Sequence, residues 1–275
     1  MPQVTNPDSG FVHSANQTPF NISAAGSNPI ESEVPAEGGW QTRMTNRATR
    51  GLELFAEFGQ IDWDELWQLK HDNRYSPNYR GMTFIDAVTS LTPENEREVQ
   101  AIRILSEWDL GTDIDNRGAA LGVCVLSAEW LSESGGTDLP EARGVLSDCI
   151  EEISDMSGRL DPTRGEVSRH GRDDSHWPVA GGPDTLRAIY SRRLEGDDFW
   201  TAVAGDGLYY IVRWLPDGSQ KVLGTHQYGN DMTDSSSLHY LDQAEDYARE
   251  VLHEPLYTEA SRAGRISRRY TVSSM

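Results

Sequence analysis

Residues 200–229 read WTAVAGDGLYYIVRWLPDGSQKVLGTHQYG. β-Branched and aromatic residues dominate the stretch, and Pro216-Asp217-Gly218 separates two such runs. Proline presets φ for a turn and glycine accepts the left-handed conformation, so the stretch predicts a β-hairpin. Upstream of Gly158 the pattern is different. Ala48, Leu52, Leu54 and Phe55 recur at helical spacing after Thr45, a candidate N-cap, and the pattern stops at Gly59. In IDWDELWQLKHDN, Asp62 and Glu65 stand at the two positions of a capping box.

Working outward, Thr92-Pro93-Glu94 reads as an N-cap followed by proline at the first helical position, ahead of Val99, Ile102 and Leu105. Further helices are expected over residues 116–131, ended by Ser134-Gly135-Gly136, and over 140–156, ended near Gly158. A last helix is expected over 239–252, with Tyr240, Ala244, Tyr247, Ala248 and Val251 inward, and the tail SRRYTVSSM would add a strand. Residues 1–42, rich in Asn, Ser, Pro and Gly, read as loop with a short strand at 10–13. Helices gathered ahead of strands predict an α+β fold rather than βαβ alternation.

The chain has 275 residues, 37% hydrophobic and 25% charged, a globular composition. Its net charge of −20 would be repelled by nucleic-acid phosphates and by anionic membrane surfaces, and no basic run offsets it. Lys70 and Lys221 are its only lysines; salt adaptation and an arginine-rich genome both explain that bias. No apolar stretch approaches membrane-spanning length, and the polar start MPQVTNPDSG does not resemble a signal peptide. Cys124 and Cys149 are too few for a disulfide framework; Cys124, in LGVCVL, reads as a core residue, and a bridge between the two is possible. The seven histidines show no metal-ligand spacing, and acidic pairs such as Asp173-Asp174 and Asp197-Asp198 read as solvated loops. Gly181-Gly182, Gly205 and Gly207 fit neither a P-loop nor a dinucleotide fingerprint.

Four ordered segments resemble the penicillin acylase family, especially its acyl-homoserine-lactone and lipopeptide acylase branch. They are Gly10-Phe11-Val12-His13-Ser14-Ala15-Asn16-Gln17-Thr18-Pro19, Asn46-Arg47-Ala48-Thr49-Arg50, and Leu105-Ser106-Glu107-Trp108-Asp109 with Asp115-Asn116-Arg117-Gly118. The fourth joins Gly165-Glu166-Val167, Gly181-Gly182-Pro183-Asp184-Thr185, Ala204-Gly205-Asp206-Gly207, His226-Gln227-Tyr228-Gly229 and His239-Tyr240.

The resemblance implies an N-terminal-nucleophile (Ntn) hydrolase that cleaves N-acyl amides through an acyl-enzyme, on a partial αββα sandwich with a helical insertion. It implies an Ntn-core segment over 1–60, a helical segment over 61–158 and a strand-rich return to the core over 159–275. Asn16 matches the family's oxyanion-stabilising Asn, whose amide donates without carrying charge. Arg47 matches the Arg beside the nucleophile's amine, where a cation keeps that amine neutral enough to act as base; Arg43 and Arg50 compete for the assignment. The family often has a second Asn where this chain has Ser14.

The nucleophile itself is expected in polypeptide upstream of the chain, which would correspond to the later part of a β chain. The implied partners are therefore an α chain, the earlier part of the β chain, and an N-acylated small-molecule or lipopeptide substrate. Gly26-Ser27-Asn28 has the letters of a processing junction but follows Asn16, so Ser27 reads as a loop residue. No cofactor is implied. Some relatives hold structural calcium, but residues 21–40 do not align with that pattern. Many relatives are periplasmic or secreted. The alternative reading is a non-catalytic fragment or subunit that serves only for association.

Overall fold

The computed structural model describes residues 1–266, which include helices and sheets in an α+β arrangement. The expected strand in the tail, at 267–275, lies outside the described residues. Two compact units divide the chain, Met1–Asp206 and Gly207–Met275.

The first unit opens with a long loop, then α1 (Asn46–Phe58) and α2 (Trp63–His71). Thr45 caps α1 by accepting from the Ala48 amide, and Gly59 ends it at φ 68°. Asp62 and Glu65 form the full capping box of α2. Helices α3 (Met82–Thr89), α4 (Glu96–Glu107), α5 (Ala119–Gly135) and α6 (Ala142–Ser157) enclose the main apolar core, with Val88, Ala101, Leu121, Val125, Leu146 and Ile153 fully or almost fully buried. α5 is the central helix, its residues 119–123 all buried.

The Trp108-Asp109 segment explains itself here. The indole of Trp108 lies against the backbone of α5, where a Cβ on Gly122 would collide with it, and its Nε1 donates to the Gly111 carbonyl at 2.8 Å. Asp109 accepts from Asn116, and Asn116 in turn accepts from the Gly118 and Ala119 amides, capping α5.

After α6 comes the short helix α7 (Arg164–Val167), then β1 (Ser168–Arg172), β2 (Ser175–Pro178), β3 (Ile189–Arg193) and β4 (Trp200–Gly205). They form one sheet in the order β2-β1-β4-β3, antiparallel except for the β1–β4 pair. The second unit contains the hairpin of β5 (Leu208–Trp214) and β6 (Gln220–His226), closed through a turn with Gly218 at φ 83°. α8 (Ala244–Ala248) and α9 (Glu259–Arg262) follow.

Several expectations need correction. Residues 10–13 form no strand: Gly10 turns at φ 78°, and the segment is held by a single ladder-like bond from His13 N to Ile22 O. The N-cap of α4 is Asn95, whose side chain accepts from the Glu98 amide; Thr92 and Pro93 stay in the preceding loop. Val99 is exposed, because Ala101 and Leu105 face the core and the Arg143-paired Glu98 takes the buried place beside them. The run 200–229 is split, with Trp200–Gly205 belonging to the four-stranded sheet and only the rest making the hairpin. The helix expected over 239–252 shrinks to Ala244–Ala248. It ends in a Schellman motif, with Glu250 at φ 59° and the Val251 amide bonded back to Asp246 O. Cys124 is not a free core thiol: it bridges to Cys149, tying α5 to α6.

Candidate active site

The loop carrying Asn16 is fixed from within. Gln17 is buried; its Oε1 accepts from the Ala15 amide at 2.5 Å, and its Nε2 donates to His13 O and Asn21 O at 2.9 and 3.1 Å. This side-chain amide supplies the support that Ser14, which is exposed, does not. The loop is then tied to α1, since Thr45 Oγ1 donates to Ala15 O at 2.9 Å, and to the chain before it, since the Thr18 amide donates to Arg43 O at 2.9 Å. Phe11 stacks on Phe55 of α1 at 4.0 Å between centroids. His13 packs against Phe55 and over Gly51, where a Cβ would meet its ring. Burial, and then the charge of Arg47, holds the His13 imidazole below its usual pKa.

Asn16 sits in the left-handed region at φ 61°, a conformation Asn tolerates better than most residues. Its side chain meets Arg47, the second residue of α1: Arg47 Nη2 donates to Asn16 Oδ1 at 3.0 Å. A guanidinium only donates, so the amide oxygen must face it, and the Asn16 NH2 group has no partner at the cleft among the described residues. The competing arginines have other ion-pair partners, although Arg43 lines the same cleft. Arg50 holds Asp72 at 2.7 Å and Arg43 holds Glu133 at 2.6 Å.

Arg47 is itself positioned by Asp184, in the 181–185 segment, to which no role was expected to fall. Asp184 Oδ1 accepts from Arg47 Nε at 3.1 Å, and its Oδ2 accepts from the Asn46 amide at 2.7 Å, at the positive end of α1. Asp184 is 2% exposed and also left-handed, at φ 61°. Burial raises its pKa, against the opposing pull of the Asn46 amide and Arg47. Asn46 is wholly buried; its side chain donates to Asp184 O at 2.9 Å and accepts from the Ser76 amide at 2.8 Å. The turn bearing Asp184 is pinned by Tyr75, whose hydroxyl donates to Pro183 O at 2.7 Å. Neither Asp184 nor Asn46 announced this part in the sequence. Only the contact of residues 46–47 with residue 184, across 137 positions, shows it.

Asn16, Arg47 and Asp184 border a polar cleft of about 480 Å³, with Trp130 and Tyr190, 4.6 Å apart, contributing an aromatic wall. Arg80 bridges Glu129 and Glu133 along its rim. Ser27 is not part of it: its amide closes a turn onto Ala24 O, and Asn28 caps the amides of Ile22 and Ser23.

Residues 1–264 match the family model for penicillin amidase. The chain belongs to the penicillin amidase family. It is thereby placed among amide hydrolases, and amides are the substrate class that goes with the family. Among the described residues, no helix of this penicillin amidase relative is long and apolar enough to cross a membrane.

Proposed function

We propose that the chain supplies the oxyanion-stabilising and base-positioning half of an Ntn-type N-acyl amide hydrolase, acting through an acyl-enzyme. The observation that carries this reading is the amide of Asn16, turned by Arg47 so that its NH2 group is available at the cleft. Attack on an amide carbonyl moves negative charge onto its oxygen, and a fixed, uncharged donor there stabilises the transition state by about 3–4 kcal/mol. Arg47 would then serve twice, holding the amide and lowering the pKa of a neighbouring nucleophile amine by like-charge repulsion.

The attacking hydroxyl or thiol is assigned to polypeptide outside this chain. Both cysteines are bridged to each other. Thr45, on the cleft, spends its hydroxyl on capping α1 and on the Ala15 carbonyl. Ser134, also on the cleft, lies in the last turn of α5, where the adjacent Glu133 carboxylate is held by Arg43 and Arg80. The αββα sandwich would be completed by the same additional polypeptide. Acyl-homoserine lactones and acylated peptides are the proposed substrates. The Cys124–Cys149 bridge favours an oxidising compartment, such as the periplasm or the extracellular space.

The test is an acid-release assay on an N-acyl amide with the purified chain, alone and after co-expression with the polypeptide encoded upstream. The proposal expects release only from the combination. Turnover by the chain alone would place the nucleophile within these residues and sink the assignment.

A further inference from the structure

A second groove, of about 410 Å³, runs between α5, α6 and the β3–β4 edge and shares no lining residue with the cleft around Asn16. Its walls are apolar for most of their extent, with Val123, Ala128, Leu131, Val145, Pro183 and Trp200 among them.

Arg164, the first residue of α7, also lines it. Arg164 is 1% exposed. Its Nε and Nη2 donate to the Gly181 carbonyl at 3.2 and 3.0 Å, and its guanidinium lies 5.7 Å from the Trp200 ring centroid. Among the described residues, its Nη1 has no hydrogen-bond partner. Burial pushes the pKa of Arg164 down to about 10, and the compensating influence comes from Tyr75. Tyr75 is no counter-ion, because its own burial raises its pKa well above the ordinary value and keeps it neutral. Ser191 Oγ, buried in the same groove, also lacks a partner.

A buried cation ordinarily has a carboxylate facing it, because the desolvation of the charge is otherwise uncompensated. In a chain with 44 acidic residues, this one stands in the wall of a largely apolar groove instead. We propose that the groove is a binding site for a monocarboxylate with an apolar chain, its head group on Arg164 Nη1 and Ser191 Oγ and its tail along α5 and α6. Asp148 and Glu152 also line the groove, and Glu152 accepts from Trp200 Nε1 at 2.5 Å. Arg192 and Arg193 line it as well, so three arginines stand against two carboxylates, and the one net positive charge is balanced by a single carboxylate rather than by a dianion such as a phosphate ester. This inference does not depend on the hydrolytic reading, since its test measures binding and not turnover.

The experiment is calorimetric titration of the full 275-residue chain with octanoate, with octanol as the neutral control of equal length. Octanoate should bind at least tenfold more tightly than octanol. Arg164→Met should bring the two to similar affinity. Because a buried substitution can unfold the chain, Ala128→Trp provides a second variant: it fills the groove, leaves Arg164 in place, and should weaken octanoate at least tenfold while circular dichroism stays unchanged. Equal affinities for octanoate and octanol, no binding of octanoate, or an Ala128→Trp chain that binds octanoate as before would each overturn the proposal.

Discussion

Asn46→Ala is the sharpest probe of how the site is held. The Asn46 side chain joins three segments that are far apart in sequence: α1, the loop at Ser76 and the turn at Asp184. Truncation to alanine removes a 2.8 Å bond from the Ser76 amide and a 2.9 Å bond to the Asp184 carbonyl. Both groups are buried, and Asn46 itself has no exposed surface, so water does not replace what is lost. An orphaned buried polar group costs about 1–3 kcal/mol, which for two groups gives roughly 2–6 kcal/mol, with about 4 as the central value. For a unit of some 200 residues the central value corresponds to a fall in Tm of roughly 8–16 °C. Urea unfolding followed by tryptophan fluorescence, together with calorimetry, measures it. Asn46→Asp should also destabilise: it keeps an acceptor for the Ser76 amide but sets a carboxylate against the Asp184 carbonyl. A loss under about 1 kcal/mol for Asn46→Ala would mean that water or a rearranged turn satisfies these groups, and the clamp on Asp184 would have to be abandoned.

Cys124 and Cys149 close a loop of 25 residues, so Cys124→Ser with Cys149→Ser should cost roughly 3–4 kcal/mol by the loop-entropy estimate. Unchanged unfolding midpoints with and without reductant would show that the bridge does not form. His13 has a depressed pKa, so the folded chain prefers the neutral ring. Its contribution is complete above 6.5 and is lost as pH falls from there through the folded value. His13→Gln should therefore flatten the acid side of the stability curve, and an identical slope would refute that. Asp184 has the opposite sign. Its raised pKa makes the folded chain the tighter proton binder, so its contribution is greatest below 3.8 and is lost as pH rises through the folded value. Asp184→Asn should make that decline shallower, with Asp206, raised for the same reason, supplying what remains; an unaltered decline would mean that Asp184 is not the buried carboxyl responsible.

Much of the helical part could be read in the sequence because local rules decide it. Thr45, Asp62, Gly136 and Gly158 stand at caps where the sequence put them. The rules failed where two local signals competed or where a distant contact won. Thr92-Pro93 is a good helix start, but Asn95 caps the Glu98 amide and lets Glu98 reach Arg143. The apolar spacing over 239–252 is real, yet Glu250 turns left-handed and only one turn of helix forms before it. At the site, Asn16 and Arg47 were legible through motif resemblance, and their side chains meet at 3.0 Å. Asp184 and Asn46 were not, because what matters at those positions is a long-range hydrogen bond and a left-handed backbone, neither of which leaves a periodic trace. Arg164 was likewise silent, since a buried arginine and a surface arginine are the same letter.

The claim at the centre of the account is that the free amide of Asn16 stabilises charge in a transition state. Its most direct measurement is the turnover of an N-acyl amide by the chain assembled with the proposed nucleophile-bearing polypeptide, comparing wild type with Asn16→Ala. The account predicts a kcat lower by about 10²–10³-fold with KM little changed, because the donor acts only once the oxyanion forms. A kcat within about threefold of wild type would contradict it.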